Sequence, residues 1–465
     1  MTEDSDDEQR GPTPATHLTP DPVAATEAGT RHERGRARRA LSALAVDVTP
    51  LRVSRDFRLL YAGQTVSFFG SMMTFVALQV QVFKLTGSYT AVGLLGVAEF
   101  VPILLMAFVG GALADYVDRR RMVLLTDFML ALGTVVLVLN SLLQQPRVWV
   151  IYFCAALFAA LAGLQRPSLD ALVPRLVPSE LMPSAAALRS LGGSAAMILG
   201  PALGGVLIGA FGPALAYSID FASFVVSLCA LWLMKAVPPP ADSDRPSLRS
   251  VAEGLRYARR RPELLGTYLV DFNAMFFGMP IALFPAVAKN FGGDAVAGLL
   301  YSAPAVGSLV ATLTSGWTRR VRRHGRAVAL AAAGWGAAIV GFGFANRLWL
   351  ALLCLALAGG ADMVSGLFRS TIWNQTIPDH LRGRLAGIEM VSYTTGPMLG
   401  NAEAGLAASI FGLRTSIVSG GVLCVLGTGL LALALPGFIR YDGREGLRRK
   451  EEEEAARLAS LGQAG

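Results

Sequence analysis

Residues 90–127 read TAVGLLGVAEFVPILLMAFVGGALADYVDRRRMVLLTD. From Thr90 to Ala114 the stretch is apolar apart from Glu99, then it meets Asp115, Asp118 and the run Arg119, Arg120, Arg121 before turning apolar again. An apolar run of about 20 residues is what an α-helix needs to cross a bilayer. Lipid admits only helices or closed barrels, because each backbone polar group has to be satisfied within the protein. Charge collected at the end of such a run marks a connector at the membrane surface.

The rest of the 465-residue chain repeats this alternation, with 53% hydrophobic and 16% charged residues and a mean hydropathy of +0.50. Runs at 58–83, 89–114, 122–143, 147–172, 185–209 and 214–235, then at 264–288, 296–317, 326–345, 348–373, 385–411 and 415–438, predict an all-α polytopic membrane protein with twelve transmembrane helices. The longest polar interruption divides them into two pseudo-symmetric six-helix halves, 55–235 and 263–438. Residues 1–54 read as a disordered tail without the apolar core of a signal peptide. The linker 236–262 opens Pro-rich, and SLRSVAEGLRYARRRP then sets Leu248, Val251, Leu255 and Tyr257 near one face, as an interfacial helix requires. In the tail 439–465, (i, i+4) charge pairs predict a short solvated helix.

Alternate connectors differ in basic content. One set carries Lys84, Arg147, Lys289, Arg347 and Arg414 singly; the other carries Arg119 to Arg121, the linker arginines, RRVRRHGR at 319–326, and Arg382 with Arg384. The basic set and both termini are therefore expected to face the cytoplasm of a cell membrane. The net charge of +8 follows from topology, and arginines spread over separate loops do not make a nucleic-acid surface. All four histidines lie outside the apolar runs and no C-x-x-C pair occurs, so no metal or other cofactor is expected. There is no phosphate-binding G-x-x-x-x-G-K-[ST] loop and no catalytic set, which excludes ATP hydrolysis and an enzyme.

Gly111, Asp115, Arg119 and Arg120, with Asp118 where glycine is usual, resemble the loop between the second and third spans of the major facilitator superfamily. The fifth span carries GPALGG (Gly200, Pro201, Gly204, Gly205) and the eleventh GPMLG (Gly396, Pro397, Gly400), similar to the pivot motif of exporters in that superfamily. The resemblance spans residues 55 to 438 and is strongest to the branch with enterobactin exporters and macrolide or multidrug efflux proteins. It implies a monomeric secondary transporter that exports a siderophore-like metabolite or amphiphilic drug against protons by alternating access. A non-transporting sensor or assembly subunit, or an importer, would share the same fold. As a latch, Asp115 would accept hydrogen bonds at a neighbouring helix N-terminus and Arg119 would pair with an acid, for which Asp170 is the expected partner.

An ionisable group deep in a span costs about 2.5–3.5 kcal/mol and so needs a reason. Glu99 and Asp362 lie nearest mid-span and are the leading proton-coupling candidates, with Asp271 beside them. Arg166 and Arg369 are placed either to tune those acids or to hold an anionic cargo. Gln79, Gln81, Asn273, Glu389 and Glu403, with Arg189, complete the expected cavity. Asp127 and Asp220, nearer the span ends, read as interhelical anchors.

Overall fold

Each apolar run folds as a helix, since only a fully hydrogen-bonded backbone is tolerated in hydrocarbon. The computed structural model describes residues 46–113, 118–235, 256–257, 259, 261–378 and 382–462. The helices are α1 Arg55–Thr86, α2 Tyr89–Leu113, α3 Arg119–Leu142, α4 Val148–Leu176, α5 Met182–Phe211, α6 Pro213–Trp232, α7 Pro262–Phe277, α8 Asp294–Leu313, α9 His324–Phe344, α10 Leu348–Thr376, α11 Arg382–Phe411, α12 Leu413–Ala434 and α13 Gly443–Gly462. Among the described residues eleven helical segments are long and apolar enough to cross a membrane. The 30-residue α11 holds the remaining position in the order. Residues 1–45 and most of the linker lie outside the described residues; of the expected interfacial helix, Arg256 and Tyr257 are helical.

Local signals set the helix ends. Ser54 caps α1 by accepting from the Phe57 N–H at 3.1 Å. Asp118 does the same for α3 through Arg121 at 3.0 Å. The turns joining α5 to α6 and α11 to α12 each place a glycine in left-handed backbone, Gly212 at φ 83° and Gly412 at φ 91°, so the two halves turn the same corner with the same residue.

One expected span is broken. The run 264–288 was expected as one helix, but α7 stops at Phe277 and resumes as a short helix, Phe284–Lys289, after a single turn at Ile281–Leu283. Pro280 has no N–H to continue the ladder. The carbonyl of Gly278, left free by the break, accepts from Trp335 Nε1 at 2.8 Å, and the Ala282 N–H donates to Asn401 Oδ1 at 3.2 Å.

Helices α1 to α6 pack mainly among themselves, as do α7 to α12. Two seams join the halves, α5 against α8 and α2 against α11. Both depend on missing side chains: a Cβ on Gly205 would lie 2.6 Å from the Gly298 nitrogen, and Gly93, Gly96 and Gly405 sit against backbone across the α2–α11 seam. At the chain's end, Phe438 is fully buried against Gly266 of α7 and Gly325 of α9, and the Tyr441 hydroxyl meets Thr376 of α10 at 3.0 Å. Beyond it α13 carries the expected (i, i+4) pairs, including Arg448–Glu452 at 3.4 Å.

Replacing Gly205 by leucine is expected to keep the α5–α8 seam from closing. A cysteine at Ser302, buried in the same seam against the Ile198 carbonyl, should then react several-fold faster with a membrane-impermeant maleimide; unchanged reactivity would show that the seam tolerates the side chain.

Candidate functional site

A cavity of about 950 Å³ lies within the first half, walled by α1 to α6 and closed on one side by Met398 of α11. Along α1 it runs from Leu78 to Phe57, about 31 Å at 1.5 Å per residue. From Phe75 onward the halves close against each other. Lys84 pairs with Asp294, Thr90 meets Ser409 at 2.7 Å, Phe75 packs edge-on against Tyr301, and the ammonium of Lys289 sits 4.5 Å above the Phe83 ring. At the other end the cavity reaches Asp170 and Arg189, whose ion pair at 3.0 Å is half exposed. Among the described residues the hydrogen bonds, ion pairs and ring contacts between the halves lie from mid-span to the closed end, and the cavity reaches the helix ends on the side that carries Arg119.

A polar stripe lines its wall. On α1, Gln64, Ser67, Ser71 and Thr74 fall on one face; on α6, so do Asp220, Ser223 and Ser227. Asp127 accepts from Ser227 at 2.7 Å, from Gln64 at 3.1 Å and from Gln165, tying α3 to α1, α4 and α6. Asp220 accepts from Thr74 at 2.6 Å and from Ser223 and Ser71 at 3.3 and 3.5 Å. A Cβ on Gly70 would collide with Asp220, so this glycine leaves the carboxylate its space. Both acids are anchors, as their sequence positions predict, and both also line the cavity. Sequence reasoning missed that second role, although the three-and-four spacing of the serines on α6 carried it.

The second half holds a cluster of three charges. Arg369 of α10 bonds Asp271 of α7 through one guanidinium nitrogen, and the other lies 3.6 Å from Asp362. Arg369 and Asp271 are nearly enclosed, whereas the Asp362 side chain is 40% exposed. The sequence placed all three by depth alone; the fold brings them together because α7 packs against α10. A guanidinium keeps its charge throughout and, buried, needs at least one ionised acid beside it, so a proton arriving at the exposed acid leaves the inner pair to compensate that charge.

Other sequence expectations fare differently. Glu99 and Arg166 line the cavity. Gln79 and Gln81 do not: Gln79 is buried with its Oε1 unpaired, and Gln81 donates to Ser141 at 3.0 Å and accepts from Tyr217 at 2.8 Å, joining α1, α3 and α6. They continue the faces of Met72 and Thr74, two turns on, but lie past Leu78, where the cavity ends along α1. Asn273 is likewise an interhelical bond, donating to Cys424 O at 2.9 Å and Thr428 at 3.2 Å on α12. Glu403 lies in the last third of α11, outside the cavity lining. The expected Arg119–Asp170 pair does not form. Asp170 takes Arg189, while Arg119 donates to the Ala171 carbonyl at 3.2 Å and Arg120 caps the end of α6 through Leu231 O and Trp232 O at 2.6 and 2.7 Å. These bonds of Arg119 and Arg120 lie within the first half. Asp115 and the side chain of Glu389 lie outside the described residues; Gly111 falls within α2.

The pivot motifs are packing devices. A Cβ on Gly200 would meet Met72 at 2.6 Å and one on Gly204 would meet Met73 at 3.0 Å, so α5 lies directly on α1. Gly396 and Gly400 do the same for α11 on α7 at Met275. Pro201 and Pro397 each stand inside their helices, about one turn apart when the two 30-residue helices are aligned end to end.

Two packed six-helix halves, with a cavity shut at one end by contacts between them, define a multi-pass membrane transporter of the major facilitator fold. The chain belongs to the transmembrane secretion effector family of that superfamily, whose model matches residues 45–449. Similar proteins include the enterobactin exporter EntS of Citrobacter koseri, 30% identical over 401 residues that cover 85% of this chain and 95% of the relative. EntS of Escherichia coli is also 30% identical, over 402 residues with the same coverage. Among solved structures, a bacterial homologue of the human lysosomal transporter Spinster, inward-facing and unoccupied, superposes with a TM-score of 0.67 at 17% identity, covering 83% of this chain and 98% of that one. The nucleoside transporter NupG gives 0.61 at 13%, covering 83% and 100%. The protein is a transporter and not an enzyme.

Asp271→Asn is expected to lower stability by up to about 3–5 kcal/mol, the range for breaking a buried ion pair, with Asp362 offsetting part of it. Adding Arg369→Gln should restore much of the loss. Thermal unfolding in detergent tests this, and a double variant no more stable than Asp271→Asn would refute the pairing.

Proposed function

We propose that the chain is a proton-antiport exporter of the cell membrane, moving a siderophore-like metabolite or amphiphilic drug outward by alternating access. The observation that carries the reading is the one-ended closure. The seam at Gly205, Gly298, Lys84 and Asp294 shuts one end, and the open end is the one that the arginine-rich connectors assign to the cytoplasm. With both termini cytoplasmic, the cavity is loaded from inside. The kinship with enterobactin exporters supports outward transport.

The domain plan follows: two halves at 55–235 and 263–438 rock about the bound cargo, joined by the linker and flanked by cytoplasmic tails. One chain supplies every cavity wall, so the functional unit is the monomer. Asp362, Asp271 and Arg369 serve proton coupling, with Glu99 facing the cargo. The exposed acid takes a proton from the outside, and its neutralisation frees Arg369 to bind Asp271 alone, biasing the halves toward the inward-open form. Gly111, Asp115, Arg119 and Arg120 form a latch that engages when the cytoplasmic end closes. Arg120 then exchanges its bonds to the end of α6 for contacts across the halves, a two-position element of the kind alternating access needs.

Everted vesicles with an acidic lumen, monitored by a pH-sensitive dye, test the coupling. Catechol-type siderophores and macrolides are added in turn. Cargo-dependent alkalinisation of the lumen is expected, and Asp362→Asn should abolish it while the protein inserts normally. Undiminished proton efflux in Asp362→Asn would remove the coupling assignment.

A further inference from the structure

A second cavity, of about 260 Å³, lies at the end of the second half where α7 starts and α10 stops, apart from the transport site. The arginine-rich connectors assign that end to the cytoplasm. Its walls are the start of α7, the last residue of α10, the segment that follows α12 and the first two turns of α13. These walls are fixed. The Tyr441 hydroxyl meets Thr376 at 3.0 Å, and Gly446 lets α13 lie on Tyr441, because a Cβ there would collide with that hydroxyl.

Four bases and three acids line the cavity, an excess of one positive charge. The acids are already engaged. Glu263, nearly enclosed, faces Arg261 at 3.6 Å; Glu445 pairs with Arg449; Asp442 caps α13 by accepting from the Arg444 N–H at 3.0 Å. Lys450 has a contact of its own. The guanidinium of Arg440 has none among the described residues, and it stands exposed at the wall. It offers five donors in a planar fork whose geometry matches phosphate oxygens.

Charge and size narrow the ligand. One excess positive charge is matched by a phosphodiester, with its single negative charge, whereas a phosphate monoester carries nearly two at neutral pH. The volume is below the roughly 300–1,000 Å³ of a site for a drug-sized molecule and suits a headgroup. Position supplies the rest. Leu426, Leu430 and Leu433 leave an exposed apolar stripe on α12, the surface that acyl chains cover, and the stripe ends four residues before Gly437 of the cavity wall. A lipid lying along α12 therefore brings its phosphate to the level of Arg440. Anionic lipids of the inner leaflet attract basic groups at that level.

We infer that the cavity holds the phosphodiester headgroup of an anionic phospholipid of the inner leaflet, with Arg440 as its main contact. Because α7, α10 and α13 each contribute a wall, the bound lipid ties the C-terminal helix to the second half. Its occupancy is independent of the cargo and of the coupling ion.

Native mass spectrometry of the full chain, released from nanodiscs of phosphatidylglycerol and phosphatidylcholine in equal amounts, reads the bound lipid. Phosphatidylglycerol should be retained in preference. Arg440→Gln should lower that retention about tenfold, the effect of losing a charge-assisted hydrogen bond, with Arg440→Lys intermediate. Arg444, exposed and outside the cavity, is the control, and Arg444→Gln should leave retention unchanged. Both arginines are exposed, so the variants fold as the parent does, which thermal unfolding in phosphatidylcholine alone verifies. Unchanged retention in Arg440→Gln, or an equal loss in Arg444→Gln, would overturn the site. Displacement of the lipid by millimolar inorganic phosphate would overturn the lipid as the source and reassign the cavity to free phosphate.

Discussion

The structure depends on backbone meeting backbone where side chains are absent. Lipid tails are as apolar as leucine, so helices in a bilayer gain little by hiding apolar surface from each other, and contact has to come from close packing. Gly205 against Gly298, Gly93 and Gly96 against α11, and Gly405 against α2 bring the two halves to that distance. Within the second half, Gly307 and Gly359 allow α8 and α10 the same approach. Tight contact inside each half and narrow contact between them is what permits the halves to move as units. The cavity is the volume left where no glycine seam forms.

Polar groups divide along the same line. Those inside a half are mutually satisfied: Gln81 with Ser141 and Tyr217, Asn273 with α12, Trp335 with the broken end of α7. They fix the helices against each other, since a half-made network in low dielectric is worse than none. The groups left with spare capacity, Glu99 and Arg166 in the first half and the exposed Asp362 in the second, face space that the cargo or solvent enters.

The architecture was legible in the sequence because apolar length is a one-dimensional signal, but the break at Pro280 was not, because the residues on both sides of it are equally apolar. Depth within a span was legible as well, which is why Asp362, Asp271 and Arg369 were singled out before their meeting was known. Extent was harder. Gln79 and Gln81 continue the faces of Met72 and Thr74, but that the cavity stops at Leu78 depends on how the halves close beyond it. Partner choice was harder still: Asp170 had two arginines within reach by sequence, and only the fold shows that Arg189 of α5 is the one beside it. Asp127 and Asp220 were undervalued because distance from the span end was weighed and the serine register beside them was not.

The placement of Phe438 bears on how the protein is made. Its ring fills the space above Gly266 and Gly325, which belong to the first and third helices of the second half, yet it follows the last helix of that half in the chain. Helices α7 and α9 therefore wait, inserted but unlocked, until α12 and the segment after it have been made. A chain cut short before Phe438 would present quality control with a full set of spans that never consolidate.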